Sequence, residues 1–233
     1  MTDIIKDEER YIAVVIAAGL SERMRAFKPL LDLGGKAALF RLLDTIFEAG
    51  IESVVVVTGF KRTLIEQAVD RYTASCGDGS MNMVNNPDYE SGMFSSVKTG
   101  INRGAEILKC TASPTDIPRA ALLFPVDVPL VSAKTIRDLI KEWESYCASS
   151  KHIDSTGLPF AVPIFNGKNG HPLLVPENYF CEILTYKGEG GLKGVRSKYD
   201  EFLLRYNTED EGCVLDMDTP EDYEKLTSFC MVK

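Results

Sequence analysis

The run Val14-Val15-Ile16-Ala17-Ala18-Gly19-Leu20-Ser21-Glu22-Arg23-Met24, followed by Lys28-Pro29, places small residues and two cations directly after an apolar, strand-like segment. Ala17, Ala18 and Gly19 allow the loop that continues through Ser21 to approach phosphates closely and to present backbone N–H groups, while Arg23 and Lys28 supply positive charge. That chemistry suits a triphosphate. The glycine spacing matches neither the Walker A loop nor the GxGxxG dinucleotide fingerprint, and an ordinary strand-to-helix turn with a solvated basic face is the competing reading. Asp127 ends a second apolar run, Phe124-Pro125-Val126-Asp127. Open α/β sheets bind ligands beyond the carboxyl ends of their strands, and a carboxylate there can hold Mg²⁺. Thr58-Gly59 and Asn85-Asn86 end two further strand-like runs at the same edge. They can frame a base and ribose, although Asn86 before Pro87 is equally a turn former.

Asp218 lies in Asp216-Met217-Asp218-Thr219-Pro220-Glu221-Asp222. Here Thr219 reads as a helix N-cap, Pro220 as the first helical position and Asp222 as the closing member of a capping box. Asp218 is left free by that arrangement, and Asp216 reads as a plain loop residue. His171 precedes Pro172 in a turn, a position more often structural than catalytic.

Taken in order, these segments resemble the molybdenum cofactor nucleotidyltransferases. Ala17-Ala18-Gly19, Ser21, Arg23-Met24 and Lys28 match that family's signature loop. Asn86-Pro87 and Gly92-Met93, with Ser95 and Ser96, are similar to its segment after the third strand, and Asp127-Val128-Pro129 to its Asp-x-Pro motif. Gly170-His171-Pro172 and Asp216 to Asp222 complete the set, which runs from residue 12 to about 226. One departure is Arg25, where the family usually has Gly. The resemblance implies transfer of CMP from CTP to molybdopterin with release of pyrophosphate, Mg²⁺ held by Asp127 and Asp218, and catalysis by Arg23, Lys28 and Asp127. It further implies nucleotide contacts from Ala17, Ala18, Gly19, Ser21, Thr58, Gly59 and Asn86, His171 in the acceptor pocket, and a molybdenum hydroxylase as recipient. Relatives that transfer GMP generally carry Gly at the position of Ala18, so Ala18 implies CTP. The rival readings are a nucleotidyltransferase acting on another phosphorylated small molecule, a nicotinamide-dependent oxidoreductase, and a noncatalytic cofactor carrier.

The elements that must position these residues alternate along the chain. Strands are expected near 11–17, 53–58, 82–85, 120–126, 159–164, 172–175 and 201–206, with a short strand at Cys213 to Leu215. Helices are expected near 36–49, 61–72, 94–108, 132–146, 176–185, 189–199 and 220–229. Leu39, Leu42, Leu43, Ile46 and Phe47 recur at helical spacing and read as core. The alternation predicts an α/β fold, a three-layer, Rossmann-like, mostly parallel sheet with helices on both faces. Asn166-Gly167-Lys168-Asn169-Gly170 is hairpin chemistry, so a small antiparallel addition is expected in the second half of the same sheet. At 233 residues and 45% apolar content a single domain over 1–233 is expected, with a nucleotide-binding part near 11–130 and an acceptor part near 131–233.

A net charge of −8 argues against a nucleic-acid footprint. The six cysteines stand at least 17 residues apart, which excludes zinc-knuckle and redox-dithiol spacing and leaves scattered, reduced thiols. The apolar run Tyr11 to Leu20 is too short to span a bilayer, and a cytoplasmic protein is expected.

Overall fold

The computed structural model describes residues 10–21, 23–24, 26–76, 80–110, 118–149, 157–199 and 202–232. Arg25 lies outside them. Eight strands form one sheet: β1 (Tyr11–Ile16), β2 (Ser53–Thr58), β3 (Ser80–Asn85), β4 (Ala120–Pro125), β5 (Ala161–Phe165), β6 (Lys168–Asn169), β7 (Leu173–Pro176) and β8 (Leu204–Asn207). The first four run parallel in the order β3-β2-β1-β4, with Val14 opposite both Val55 and Leu123. β7 joins β4 antiparallel and carries β5 beside it. Ala161 of β5 pairs with both Leu174 and Leu204, so β8 runs parallel along the other side of β5.

Seven helices occur among the described residues: α1 (Ala38–Glu48), α2 (Arg62–Cys76), α3 (Met93–Cys110), α4 (Ala133–Ser149), α5 (Phe180–Thr185), α6 (Gly191–Ser197) and α7 (Pro220–Val232). Successive side chains of β1 point to opposite faces. Ala13 and Val15 therefore pack with Leu39, Leu42, Leu43 and Ile46 of α1, and with Ile136, Leu139 and Trp143 of α4. Ile12, Val14 and Ile16 pack on the other face with Val97 and Ile101 of α3, Ile183 of α5 and Val195 of α6. Because both faces are covered, the central strands β1, β2 and β4 are nearly continuous apolar runs, each large side chain contributing about 1.5–3 kcal/mol on burial. Phe47 packs at the edge of the first cluster, partly buried. On the second face, α3 reaches the sheet through Gly100, where an added Cβ would stand 2.3 Å from Val14 Cγ1.

The antiparallel addition begins at a two-residue hairpin turn, Asn166 and Gly167, with φ of 47° and 78° between the paired residues Phe165 and Lys168. That is the conformation for which Asn-Gly is selected. The expected capping box closes α7: Asp222 N donates to Thr219 Oγ1 at 3.2 Å, and Thr219 N to Asp222 Oδ2 at 3.1 Å. Cys213 to Leu215 is not a strand. A 3₁₀ turn occupies Glu211–Cys213, capped by Asp210, whose Oδ1 accepts from Gly212 N. An apolar triplet is too short for its spacing to tell a strand from a buried turn. Cys147 and Cys213 are buried free thiols, Cys230 is half-buried and Cys181 is exposed. Among the described residues no helix is long and apolar enough to cross a membrane.

Candidate active site

The carboxyl ends of β1 and β4 place the charged residues. Ala17 continues β1, its N–H donating to Val57 O at 2.9 Å, and Ala18 O accepts from Phe60 N at 3.2 Å. Both alanine side chains are buried, whereas the position of a Cβ on Gly19 is open. Ser21 takes the left-handed conformation, φ 57°, and its Oγ accepts a long bond from Lys28 N at 3.4 Å. The loop then enters a 3₁₀ turn at Lys28–Leu30, with Pro29 following Lys28.

Lys28 is the centre of the site. Its Nζ lies 2.6 Å from Asp218 Oδ1 and 3.4 Å from Asp127 Oδ2, with 11% of its side chain exposed. Arg23, 73% exposed, reaches Asp218 Oδ2 at 2.7 Å. The two aspartates belong to distant segments, joined where Met217 N donates to Asp127 O at 2.8 Å. The Lys28 hydrogen bond, with the charges of Lys28 and Arg23, holds the Asp218 carboxyl below the usual range against the opposing effect of burial. Asp216 is exposed, and its carboxyl is pushed up by desolvation and by the charges of Asp218, Asp222 and Asp127.

A cleft of about 540 Å³ opens over this cluster. The β1 loop lines it with Gly19, Leu20, Ser21, Arg23 and Lys28, and the β4 end contributes Pro125, Val126 and Asp127, with Asp218 beside them. The segment after β3 adds Tyr89, Glu90, Gly92, Met93 and Ser96. A volume of this order accommodates a small-molecule ligand.

Other residues singled out from sequence lie behind the cleft. Thr58 is 1% exposed, and its Oγ1 donates to Val84 O at 3.3 Å. Asn86 is 2% exposed; its Nδ2 donates to Ser95 Oγ at 2.8 Å and Ser96 Oγ at 2.9 Å, and its Oδ1 accepts from Asp88 N at 3.0 Å. Asn86 thus locks the turn carrying Tyr89 and Glu90 onto the start of α3, the turn-forming alternative, and both of its amide N–H donors are used. Gly59 provides room: a Cβ there would lie 2.7 Å from Tyr89 Cβ and 3.0 Å from Ala18 Cβ. His171 is not among the described lining residues. Its backbone N–H donates to Cys213 O at 2.8 Å, and its Nδ1 is buried without a partner. Burial pushes its pKa down, with the Asp127 charge opposing.

Residues 13–202 match the MobA-like NTP transferase domain. The chain belongs to this family. The matched segment holds β2 to β7 and every described cleft-lining residue except Asp218, so the site lies on an NTP transferase domain. Among curated relatives, the "Bifunctional protein GlmU" of Mycobacterium sp. (strain KMS) is 29% identical over 138 residues, 58% of this chain and 26% of that protein. The chain therefore spans about a quarter of the length of that relative. Among solved structures, Rv0371c of Mycobacterium tuberculosis H37Rv superposes with a TM-score of 0.65 at 23% identity, covering 94% of this chain and 98% of that one. Molybdopterin-guanine dinucleotide biosynthesis protein A of Archaeoglobus fulgidus gives 0.61 at 13% identity, covering 95% and 100%. At these identities the superpositions establish the fold.

The four charged residues were legible in the sequence, and Gly92-Met93 and Ser96 belonged to the motif after the third strand, but Tyr89 and Glu90 were not singled out. The available signal was Asn86-Pro87 closing β3 ahead of a long helix, which marks a turn at the carboxyl edge.

Proposed function

We propose that this nucleotidyltransferase moves CMP from CTP to molybdopterin, acting as a single domain over 1–233 with its nucleotide part near 11–130 and its acceptor part near 131–233. The observation that carries the reading is the buried Lys28, set between Asp127 and Asp218 beside the Ala17-Ala18-Gly19 loop. An oxygen of the acceptor phosphate attacks the α-phosphorus of CTP, the bond to the β-phosphate bridging oxygen breaks, and pyrophosphate leaves with that electron pair. Lys28 and Arg23 meet charge as it develops on the phosphates, and the loop N–H groups orient the chain of phosphates. Two neighbouring carboxylates are hard oxygen donors of the kind Mg²⁺ prefers. A metal held by Asp127 and Asp218 would neutralise charge on the α-phosphate and leaving group. His171 belongs to the acceptor side in this reading.

Support for molybdopterin comes from the motif set and from the Archaeoglobus fulgidus neighbour, a molybdopterin-guanine dinucleotide biosynthesis protein. Support for a divalent metal comes from the donor set and from a manganese complex of Rv0371c. A molybdenum hydroxylase in the cytoplasm would receive the product. The test is pyrophosphate release with CTP, Mg²⁺ and molybdopterin, beside GTP and beside other phosphomonoester acceptors. Release confined to CTP with molybdopterin supports the proposal. Release only with a different nucleotide or acceptor refutes it.

A further inference from the structure

We infer that Asp210 is a positioning residue of this site, its carboxylate clamping the loop that carries Asp127 to the loop that carries Asp218. The inference rests on the proposal that these two aspartates hold the metal, and adds what fixes the distance between them. Asp127 lies in the loop from β4 to α4, and Asp218 in the loop from β8 to α7. Near the cleft the loops are joined by the bond from Met217 N to Asp127 O at 2.8 Å. At their far ends Asp210 joins them a second time. Its Oδ2 accepts from Ser132 N at 2.7 Å and from Thr135 Oγ1 at 2.8 Å, both at the start of α4, while its Oδ1 accepts from Gly212 N at 3.1 Å in its own loop.

Three donors converge on this one carboxylate, and one of them lies at the N-terminus of α4, where negative charge is favoured. Thr135 is buried, and its hydroxyl also meets that of Thr208, which accepts from Asp210 N at 3.2 Å. None of the partners of Asp210 among the described residues is a cation, so its charge serves geometry. Packing closes the same seam. A Cβ on Gly212 would lie 2.0 Å from Leu130 O, so the turn stands against the backbone of the Asp127 loop at a distance only glycine permits. Cys213 O, at the end of that turn, accepts the backbone N–H of His171 at 2.8 Å. The segments of Asp127, His171 and Asp218 therefore meet at the turn from Asp210 to Cys213. Loops held at both ends do not slide independently, and a misplacement of about 1 Å between reacting groups can cost on the order of 10²-fold in rate. Asp210 is not among the described residues lining the cleft, so it acts through the two aspartates and not on a ligand.

The experiment measures Mn²⁺ binding to the full chain, followed by the electron paramagnetic resonance signal of free Mn²⁺, at saturating α,β-methylene-CTP, which cannot transfer its nucleotide. Folding of each variant is checked by circular dichroism. Asp210→Ala should weaken Mn²⁺ by about 10- to 100-fold, the ordinary cost of removing groups that orient metal ligands, and should lower kcat for pyrophosphate release with it. Its affinity for the analogue in the absence of metal should stay that of wild type, because the Ala17 to Ser21 loop and the turn with Tyr89 belong to other segments. Asp210→Asn keeps an oxygen toward α4 and should lose less. Gly212→Ala leaves Asp210 in place but wedges the loops apart, and should weaken Mn²⁺ as Asp210→Ala does. A folded Asp210→Ala protein with wild-type Mn²⁺ affinity overturns the proposal and leaves Asp210 a stabiliser of α4 alone. So does an equal loss of metal-free analogue binding, which marks a general loosening of the cleft. If Asp210→Ala does not fold, Asp210→Asn and Gly212→Ala decide by the same two measurements. The expected pattern with the corresponding GTP analogue and not with the CTP analogue supports the clamp and removes the cytidylyl assignment. Wild-type protein that binds no Mn²⁺ with either analogue overturns the clamp together with the metal reading of Asp127 and Asp218.

Discussion

Asn86→Ala should loosen one side of the cleft while leaving Arg23, Lys28, Asp127 and Asp218 in place. The side chain makes three hydrogen bonds of 2.8, 2.9 and 3.0 Å, to Ser95, Ser96 and Asp88, at 2% exposure. Truncation leaves Ser95 its bonds to Asp88 O and Gly92 O, but the Asp88 N–H and the Ser96 hydroxyl lose their partner. A stranded polar group costs about 1–3 kcal/mol, and partial access of water at Asp88 lowers the sum to about 2–4 kcal/mol. For a chain of this size each kcal/mol moves Tm by about 2–4 °C, so a fall on the order of 10 °C is expected by calorimetry. The freed turn carries Tyr89, Glu90, Gly92 and Met93, all on the cleft. KM for the nucleotide should therefore rise several-fold more than kcat falls, because Lys28, Asp127 and Asp218 belong to other segments. A Tm within about 2 °C of wild type, or a loss confined to kcat, would refute the argument that Asn86 acts by positioning this turn.

Asp127→Asn and Asp218→Asn should each keep the fold by circular dichroism and cut turnover by orders of magnitude, since charge compensation at the phosphates is lost. Near-normal activity of Asp218→Asn at low Mg²⁺ would remove that residue from the metal site. Ala18→Gly should shift the ratio of kcat/KM for CTP and GTP toward GTP, by no more than about 10- to 200-fold for one methyl. That methyl is buried beside Gly59, and an unchanged ratio would end its role. Acidification should destabilise the protein through His171. Burial depresses its folded pKa below the ordinary 6.5, so the unfolded chain binds the extra proton first and stability declines as pH falls from about 6.5 toward the folded value. His171→Gln should flatten the pH dependence of urea denaturation across that window, and an unaltered slope would assign it to other groups.

Local sequence determined whatever depends on local chemistry. Apolar runs such as Val54 to Val57 can be strands covered on both faces, and Leu39, Leu42, Leu43 and Ile46 define one side of a helix; both were legible before any contact was known. The Asn166-Gly167 turn and the Thr219–Asp222 capping box follow from backbone preferences spanning a few residues, and they appear as expected. Lys28 was legible as a phosphate cation from its loop, but its pairing was not. Its two partners stand 99 and 190 residues away; the parallel pairing of β1 with β4 brings Asp127 close, and the bond from Met217 N to Asp127 O brings Asp218.

Asn86 and Thr58 show the limit most clearly. Their position at strand ends was correctly read, yet an amide or hydroxyl at a strand end serves a ligand or its own neighbours equally well. Which one it serves depends on how many of its hydrogen bonds the surrounding chain uses, and Ser95, Ser96 and Asp88 use all those that Asn86 directs toward α3. The lining residues Tyr89 and Glu90 carry no distinctive spacing of their own. They reach the cleft because Gly59 allows Tyr89 to approach the end of β2, and Gly100 allows α3 to lie flat on Val14 and Val57. Those close approaches are packing events between elements far apart in the chain, and packing is decided only when the whole sheet has formed.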